Sequence, residues 1–531
     1  MSNEYFDYIV VGAGSGGSTV AGRLAESGAR VLVLEAGGSD RRPDVLIPAG
    51  LPVTYETANW KYAAEPDPTR HGLRQSWPAG RIVGGGGSIN ATVFVRGNPT
   101  DFDGWAASGA TGWDYASVLP DFRRMESWAG EQSSFRGNAG PVSVDYQSVR
   151  HVATEAFLAA AQHRGHQFTT DYNGESQLGV SHVQVNQRRG VRSHASREYL
   201  RNLSHTPPTV RTKSTVTKLL FAGNRAIGAE YLRHGQIHRV YADGEIVLAG
   251  GTLATPKLLL LAGIGPRDHL IDLGMDIRVD VPGVGANLQE HPAIMLRWVS
   301  KVPTANSMGP FGAASAVYEY ATKRTGILAA CIYQMQVLHK TSESLEAPDI
   351  QIGFGCFSTE KTLKEDGSIK ILPTRQPGLQ TTTVFLHPRY RGSVQLQSRD
   401  PLAGPRIEHH LLGTPEDTRD FMAGVRETRR IMADPAFDDF VDGLFEPERA
   451  CTSDEDWLEF LRRSTTYGSH PVGTCAMGSG DDAVVDPQLR VRGIEGLRIS
   501  DASVMPQITS GNTNAATMMI GERAAREILQ P

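Results

Sequence analysis

The chain has 531 residues, of which 40% are hydrophobic and 21% are charged, and its formal net charge at pH 7 is −5. This length favours two or more joined domains over a single core. The charge balance gives no indication of nucleic acid or an anionic membrane surface as a partner. No apolar run of about 18 residues predicts a membrane span, and no secretory signal precedes the first apolar run. The cysteines are far apart, which favours a cytoplasmic location over a disulfide framework or a thiolate metal site; they are Cys331, Cys356, Cys451 and Cys475.

The first patterned segment is residues 6–38. The apolar run Tyr8–Val11 is too short for a helix and predicts a buried strand. A helix over Ser18–Ser27 and a second strand over Arg30–Leu34 follow, and the strand delivers Glu35, whose carboxylate can accept hydrogen bonds from a ribose. Three glycines with the spacing G-x-G-x-x-G lie between the first strand and the helix: Gly12, Gly14 and Gly17. The first permits a tight turn, the second lets a pyrophosphate approach the backbone, and the third lets the helix pack close to the strand. The unit predicts a dinucleotide-binding site.

Two further segments are rich in glycine. Gly84–Gly87 removes every side chain from a short loop, which is expected where a large planar or phosphorylated ligand touches the main chain. The ATVFV run at 91–95 then predicts a strand. Segment 244–265 predicts a strand over Ile246–Ala249, a glycine turn, and a helix from about Thr255. That turn suits a phosphate or a flavin.

The C-terminal part holds the motif YGSHPVGTCAMG at 467–478, and then a strand, a loop with Asp501 and a last helix from about Ala515, which Thr513 or Asn514 can cap. The long stretches 98–190 and 292–465 carry no dinucleotide signal. The second contains the strand-like runs Leu379–Leu386 and Gly392–Leu396 and the helix-like run Asp417–Met432. These stretches are assigned to a domain that covers the substrate.

Together these motifs resemble those of the glucose–methanol–choline (GMC) oxidoreductases, FAD-dependent alcohol oxidases and dehydrogenases that include choline dehydrogenase-like and aryl- or hydroxymethylfurfural-type enzymes. The matching blocks, in order, are GAGSGG…LEAG, GGGGSIN, AGGTLATPKLLLLAGIG and SHPVGTCAMG…DASVMP…GNTNAATMM. The resemblance implies a mixed α/β fold: a Rossmann-type FAD-binding domain with an interwoven substrate domain built on an antiparallel sheet with helices. The FAD domain is predicted over 1–97, 191–291 and 466–531, and the substrate domain over 98–190 and 292–465.

The resemblance also implies the residues that contact FAD. Ile89 stands where some family members carry the histidine that binds FAD covalently, so non-covalent FAD is predicted. The implied cofactor residues are Gly12, Gly14, Ser15, Gly16 and Gly17 in the pyrophosphate loop, Glu35 and Ala36 at the ribose, Trp60, Arg81, Val83, Asn90, Ala91, Thr92 and Val93 around the flavin, Val216 at the adenine, and Asp501, Ala502, Asn512 and Thr513 near the C-terminus.

Alcohol oxidation needs one acceptor for the hydroxyl proton and another for the hydride, which flavin N5 supplies. By resemblance His470 is the active-site histidine, and an imidazole with a reference pKa near 6.5 can take the proton. Asn512 cannot titrate, but its amide can orient the alcohol oxygen and stabilise alkoxide charge. The last helix would place its positive dipole end beside the negative charge of the reduced flavin.

The remaining motif residues are interpreted as structural. His291 is assigned to packing, and Cys475 and Met477 to the core. Adjacent side chains on a strand point to opposite faces, which disfavours a metal at His409–His410, and no metal site is predicted. A serine hydrolase is disfavoured because the sequence has no G-x-S-x-G elbow.

The substrate is predicted to be a bulky, uncharged aromatic or allylic primary alcohol, because Gly468 and Ser469 leave room before His470. The electron acceptor is left open between molecular oxygen and a quinone-like carrier. The alternatives are a choline-type or polyol dehydrogenase using a quinone-like acceptor and a flavin-containing lyase of the hydroxynitrile type. A nicotinamide-dependent dehydrogenase is disfavoured because it would not account for the GGGGSIN and GNTN motifs. A non-enzymatic FAD-binding module is disfavoured because it would not account for His470 and Asn512.

Overall fold

The computed structural model describes residues 4–201, 203, 205–363, 369–447 and 451–530. The helices are α1 (Ser15–Glu26), α2 (Pro43–Leu46), α3 (Leu51–Thr57), α4 (Pro99–Ala107), α5 (Tyr115–Met125), α6 (Ala153–His163), α7 (Ala195–Leu200), α8 (Thr255–Leu261), α9 (Arg267–Asp272), α10 (Pro310–Lys323), α11 (Pro415–Met432), α12 (Asp454–Ser464) and α13 (Asn514–Leu529). The strands are β1 (Tyr5–Val11), β2 (Val31–Leu34), β3 (Tyr62–Ala63), β4 (Ser76–Trp77), β5 (Glu126–Trp128), β6 (Val142–Tyr146), β7 (Gly179–His182), β8 (Gln184–Val185), β9 (Gln187–Arg188), β10 (Val191–Arg192), β11 (Thr209–Arg211), β12 (Ser214–Ala222), β13 (Arg225–Arg233), β14 (Gln236–Leu248), β15 (Ile264–Gly265), β16 (Val279–Asp280), β17 (Pro292–Ser300), β18 (Met335–His339), β19 (Ile350–Gly355), β20 (Thr359–Leu363), β21 (Ile369–Pro373), β22 (Gly378–Phe385), β23 (Ser393–Leu396), β24 (Pro405–Glu408), β25 (Val441–Glu446), β26 (Thr466–Tyr467) and β27 (Leu497–Ile499).

The first large sheet has the strand order β11-β2-β1-β14-β13-β12, and β27 also pairs with β14. Strands β11, β2, β1, β14 and β27 are parallel, with Val10 opposite Val33 on one side and Val247 on the other. Residues 9–11 of β1 and all of β2 are buried and apolar on both faces, as is typical of a parallel sheet covered by helices, and α1 packs against both α7 and α13. This arrangement confirms the Rossmann-type part of the predicted fold.

The second large sheet is antiparallel, in the order β25-β17-β22-β19-β18-β7, with β26 beside β17. Side chains alternate across it, because the side-chain period of a strand is two residues. On β17, Ile294 and Leu296 enter a core with the helices α6 and α11, whereas Ala293 and Met295 face the opposite side and line a cavity. The sheet therefore forms the wall between its own core and the site described below.

One sequence-based expectation differs from the structure. Residues 91–95 do not form a strand: within this described segment only Val93 makes an isolated bridge, to Val185, because Thr92 adopts a left-handed φ of 64°. The helices α4 and α5, in the predicted substrate domain, pack with α13 in the core of the first sheet. That core therefore extends beyond residue 97, where the predicted FAD domain is interrupted.

Candidate active site

One elongated cavity of about 440 Å³ lies between the two large sheets. One end is formed by the β1–α1 turn, the loop 84–90 and the turn after β14. The other end is formed by side chains from the second sheet, by α3, and by the segment 466–471. The two ends differ in chemistry, because the first offers mostly backbone groups and the second mostly side chains.

The β1–α1 turn fits a pyrophosphate. A Cβ on Gly12 would lie 2.3 Å from the Ala249 oxygen, and one on Gly17 would lie 2.1 Å from the Gly12 oxygen, so both positions exclude side chains. A Cβ on Gly14 would meet only the Ala249 oxygen at 3.8 Å, and its open side lines the cavity. Bare backbone at the start of α1 is the arrangement that binds phosphate groups.

Glu35 lies at the same end, at the carboxyl end of β2. Its carboxylate accepts hydrogen bonds from the amides of Ala13 (2.9 Å) and Gly37 (2.7 Å). Burial raises the pKa of Glu35 to about 7, and these two amides oppose that shift. Each oxygen has a second lone pair, so ribose hydroxyls could donate to it.

Asp501 builds the turn that follows β14. Its carboxylate accepts hydrogen bonds from the Gly251 amide (2.9 Å), the Thr255 hydroxyl (2.6 Å) and the Ser503 amide (2.8 Å). Gly251 adopts a φ of +83°, and a Cβ there would meet nothing within 4 Å. Asp501 thus fixes a second stretch of open backbone facing the cavity.

The structure brings most of the predicted site residues to this cavity. Trp60 lines it with its ring stacked on Tyr62 at 5.5 Å, while the Arg81 guanidinium lies 4.5 Å from the centre of the Trp60 ring. The predicted residues that line the cavity are Gly12, Gly14, Ser15, Gly16, Glu35, Ala36, Trp60, Asn90, Ala91, Val93, Val216, His470, Asp501, Ala502, Asn512 and Thr513. Those outside the lining are Gly17, Arg81, Val83 and Thr92.

The second end of the cavity is called the catalytic end because the predicted base His470 lies there, and His470 forms a pair with His291. Their Nδ1 atoms are 3.0 Å apart, and His291 Nε2 lies 3.0 Å from the Leu386 carbonyl oxygen. Burial lowers the pKa of His470 to about 4 and holds that of His291 well below its usual range. Both imidazoles are therefore neutral at pH 7.

The partners fix the tautomers of this neutral pair. A carbonyl oxygen only accepts, so His291 Nε2 carries the proton and its Nδ1 accepts from His470 Nδ1–H. His470 Nε2 is then unprotonated, and its lone pair accepts a hydrogen bond from Asn512 Nδ2 at 2.9 Å. The arrangement presents an unprotonated base beside an amide donor at the cavity wall.

Asn512 is oriented from the second sheet. Its Oδ1 accepts a hydrogen bond from Gln351 Nε2 (3.3 Å), and that amide also donates to Gln336 Oε1 (2.8 Å). This chain directs Asn512 Nδ2 toward His470, as donor and acceptor geometry require. The interface between the two large sheets therefore sets the orientation of the amide.

Glu290 holds the backbone of the histidine pair. Its Oε1 accepts hydrogen bonds from the amides of His470 (2.7 Å) and His291 (2.9 Å). Burial raises the pKa of Glu290 to about 8, and these amides oppose the shift. The neighbouring Ser469 adopts a left-handed φ of 68°, and its hydroxyl lies 3.2 Å from that of Tyr55. The loop is thus fixed in a strained conformation by a buried carboxyl group.

Gly468 lies against the histidine pair as well as lining the cavity. A Cβ there would lie 2.9 Å from the His291 oxygen and 3.2 Å from His470 Nδ1. A side chain would therefore press on the histidine pair, so the absence of one keeps the pair in place and does not by itself measure room for a substrate.

Sequence reasoning misses several residues of the site. It assigns His291 to packing, yet this buried residue bonds His470 directly; its place in the motif NLQEHP, adjacent to Glu290, is the available signal. Cys475 and Met477 are buried, as expected. The second sheet, α3 and the segment before β18 contribute lining residues that no motif marks: Tyr55, Ala293, Met295, Tyr333, Gln351, Thr382 and Val384.

The described residues contain neither a candidate metal-binding cluster nor a candidate membrane-spanning helix. Across those residues, no group of three or more His, Cys, Asp and Glu side chains could hold a metal ion. Within the same part of the chain, the helices are all too short or too polar to cross a bilayer.

Comparisons with known proteins give consistent family matches. Family models described as GMC oxidoreductase match residues 6–293 and 388–521. The oxygen-dependent choline dehydrogenase of Sinorhizobium fredii is 38% identical over 535 residues, covering 98% of this chain and 95% of that protein. Pyridoxine 4-oxidase from Mesorbium loti has a TM-score of 0.87 at 27% identity, covering 98% of both chains. An FAD-dependent oxidoreductase from Chaetomium thermophilum has a TM-score of 0.88 at 27% identity, covering 98% of this chain and 99% of that one.

The glycine cradles at the β1–α1 turn, the Glu35 carboxylate and the backbone held by Asp501 would hold the phosphate and ribose groups of FAD, which would supply the hydride acceptor. The chain belongs to the GMC oxidoreductase family and is an FAD-dependent enzyme that oxidises alcohols.

Proposed function

We propose that this enzyme oxidises a primary alcohol to an aldehyde, with His470 as the base. The observation that carries the proposal is the lone pair on His470 Nε2, at the cavity wall 2.9 Å from Asn512 Nδ2. FAD, when bound, accepts the hydride from the α-carbon of the alcohol. The alcohol hydroxyl would replace the direct hydrogen bond between His470 and Asn512. His470 Nε2 takes the hydroxyl proton, and the Asn512 amide then donates to the alcohol oxygen as it gains negative charge.

The other side chains keep His470 ready for this step. His291 holds the ring through Nδ1, and Glu290 holds its backbone. The ring is unprotonated at pH 7, because burial lowers its pKa to about 4. Because the ring is already held in position, the reaction does not carry the entropic cost of orienting the base.

We further propose that the alcohol is bulky and uncharged, aromatic or allylic. The catalytic end of the cavity is lined by apolar and neutral polar side chains, including Met295, Tyr333 and Val384. The carboxylates among the described lining residues are Glu35 and Asp501, and both are engaged by backbone amides at the opposite end. A cationic substrate would find no carboxylate among the described residues lining the wall near His470.

Choline is the second candidate, and the relatives favour it. Proteins 36–38% identical to this chain are named oxygen-dependent choline dehydrogenase. Tyr55, Tyr333 and Tyr467 line the same end, and aromatic faces can attract a quaternary ammonium. The same name supports molecular oxygen as the electron acceptor, with a quinone-like carrier as the alternative.

The test is anaerobic mixing of the FAD-loaded enzyme with substituted benzyl alcohols, cinnamyl alcohol, choline, glucose and methanol. We expect the flavin absorbance to bleach fastest with the aromatic and allylic alcohols and to recover on admission of air. Fastest bleaching by choline would replace the uncharged substrate with the second candidate. Absence of bleaching with every alcohol, together with cleavage of a hydroxynitrile, would overturn oxidation itself.

The flavin is proposed to be held without a covalent bond at residue 89, because Ile89 lines the cavity with an unreactive side chain. Acid precipitation should release the yellow colour into the supernatant. Colour retained in the pellet would contradict this proposal.

A further inference from the structure

Helix α10 presents an uncharged, largely apolar face to solvent. All of its residues are described, and its exposed positions before Lys323 carry no charge. Phe311 is 93% exposed, Tyr318 71% and Val317 59%. A surface helix normally turns charged or polar residues outward, so an exposed apolar face of this kind marks an interaction surface.

The spacing shows that the exposed residues form one stripe. Four exposed positions follow the i, i+3, i+4, i+7 pattern and lie on one side of the helix; they are Phe311, Ala314, Ser315 and Tyr318. The one polar member, Ser315, is small and uncharged. Ala316 and Tyr320 are buried on the other side. The helix therefore has a buried side and an exposed side that is also mostly apolar.

Basic side chains border the C-terminal end of this stripe. Lys323 and Arg324 are exposed, and Arg324 lies 5.0 Å from the Tyr320 ring. The Tyr320 hydroxyl donates to the Gly190 oxygen (2.9 Å), which brings exposed Arg189 to the same end. The nearby acid Glu319 is partly buried and accepts a hydrogen bond from the Thr325 hydroxyl (2.9 Å). The border is thus locally positive in a chain whose net charge is −5.

We propose that the α10 surface, defined as Phe311, Ala314, Val317 and Tyr318 with Arg189, Lys323 and Arg324, docks on an anionic phospholipid bilayer. An apolar helical face that enters the headgroup region, flanked by lysine and arginine, is the pattern of an interfacial helix. The positive border complements anionic headgroups. The helix lies on the membrane and does not span it.

The position of α10 links this surface to the cavity. The helix leads into the turn at Ile327–Ala329, which contacts the turn Pro48–Gly50 directly before α3. Leu51 and Tyr55 of α3 and Ile332 and Tyr333 after the turn line the catalytic end. Docking would therefore place the elements around the catalytic end near the bilayer, within reach of an apolar alcohol or a quinone-like acceptor dissolved there.

The test is co-sedimentation of the FAD-loaded protein with vesicles of equal parts phosphatidylcholine and phosphatidylglycerol. We expect binding that weakens at high salt and on pure phosphatidylcholine. The double variant Phe311→Glu/Tyr318→Glu should reduce the partition coefficient by roughly tenfold or more, because two apolar contacts are replaced by like charge against the membrane. Lys323→Glu/Arg324→Glu should also reduce it severalfold.

The matched control is Ile237→Glu, a substitution at a 62% exposed apolar residue in the β13–β14 hairpin. This variant should bind vesicles like the parent, and the flavin of all the variants should be reduced by alcohol in solution at the parent rate. No vesicle binding by the parent, or equal binding by the α10 variants, would overturn the proposal. A parent dimer that Phe311→Glu dissociates, without vesicle binding, would assign the surface to a second copy of the chain.

Discussion

The two ends of the cavity are built in different ways. The cofactor end consists of main chain exposed by glycine at Gly14, Gly86 and Gly251, and the Glu35 and Asp501 carboxylates accept hydrogen bonds from the Ala13 and Gly251 amides there. The catalytic end consists of side chains from distant segments, with His470, His291 and Asn512 joined by hydrogen bonds. Changes at the first end should therefore alter FAD retention, whereas changes at the second should alter the rate with FAD still bound.

The largest effect is expected for His470→Ala. Loss of the base should slow anaerobic flavin reduction by roughly 10²–10⁴-fold, the usual contribution of a positioned acid–base group. Stopped-flow absorbance measures the rate, and the flavin spectrum checks occupancy. His163→Ala, at an exposed histidine, is the matched control and should behave as the parent. Flavin reduction at the parent rate in His470→Ala would mean that another group takes the proton.

His291→Ala should slow flavin reduction by about 10²-fold, a smaller effect, because the His470 ring loses the acceptor that fixes its tautomer. The same stopped-flow assay applies. His291→Asn, whose side chain can still accept a hydrogen bond, should recover part of the rate. An alanine variant as fast as the asparagine variant would return His291 to the packing role that the sequence predicts for it.

At the cofactor end, Glu35→Ala should weaken FAD binding by roughly 10-fold or more, because the substitution removes the acceptor for the Ala13 and Gly37 amides and for the ribose hydroxyls. The measurement is flavin fluorescence released on dilution. With saturating FAD, the rate of flavin reduction should remain near that of the parent. A variant that keeps its FAD but reacts slowly would contradict the separation between the two ends.

Asn512→Ala should slow flavin reduction about tenfold, because it removes one donor to the alcohol oxygen and leaves the base in place. Asn512→His should retain some activity, because its ring can also donate a hydrogen bond. Gln351→Leu, which frees the Asn512 amide from its orienting partner, should give a smaller loss in the same assay. A loss for Asn512→Ala as large as that for His470→Ala would make the amide essential to proton removal.

The smallest change is expected from pH. Burial lowers the pKa of His470 to about 4, so the neutral base predominates above that value. The rate of flavin reduction should be nearly constant between about pH 5 and pH 7 and fall toward pH 4 as the ring protonates. The pKa of Glu290 is shifted in the opposite direction, upward to about 8, so this group loses its proton as the pH rises through that value. A step near pH 8 that disappears in Glu290→Gln would identify this carboxyl group.

The sequence alone determined the cofactor end. Local rules are sufficient there, because a short strand, spaced glycines and a following helix must place open backbone at the carboxyl end of β1, and Glu35 follows β2 in the same sheet. Helix α8 begins at Thr255 as predicted, for the same local reasons. The resemblance of four ordered motifs to one family indicated FAD and His470, and the family and cofactor are confirmed.

Only the tertiary structure decided the catalytic end and the α10 surface. The His291–His470 bond joins residues 179 positions apart, and the Asn512–Gln351 bond joins residues 161 positions apart. No local pattern encodes such contacts, because they depend on how two sheets pack. The exposed face of α10 could not be predicted either, because its apolar residues cannot be told from core residues in the sequence. Only the fold shows that nothing in the described part of the chain covers them.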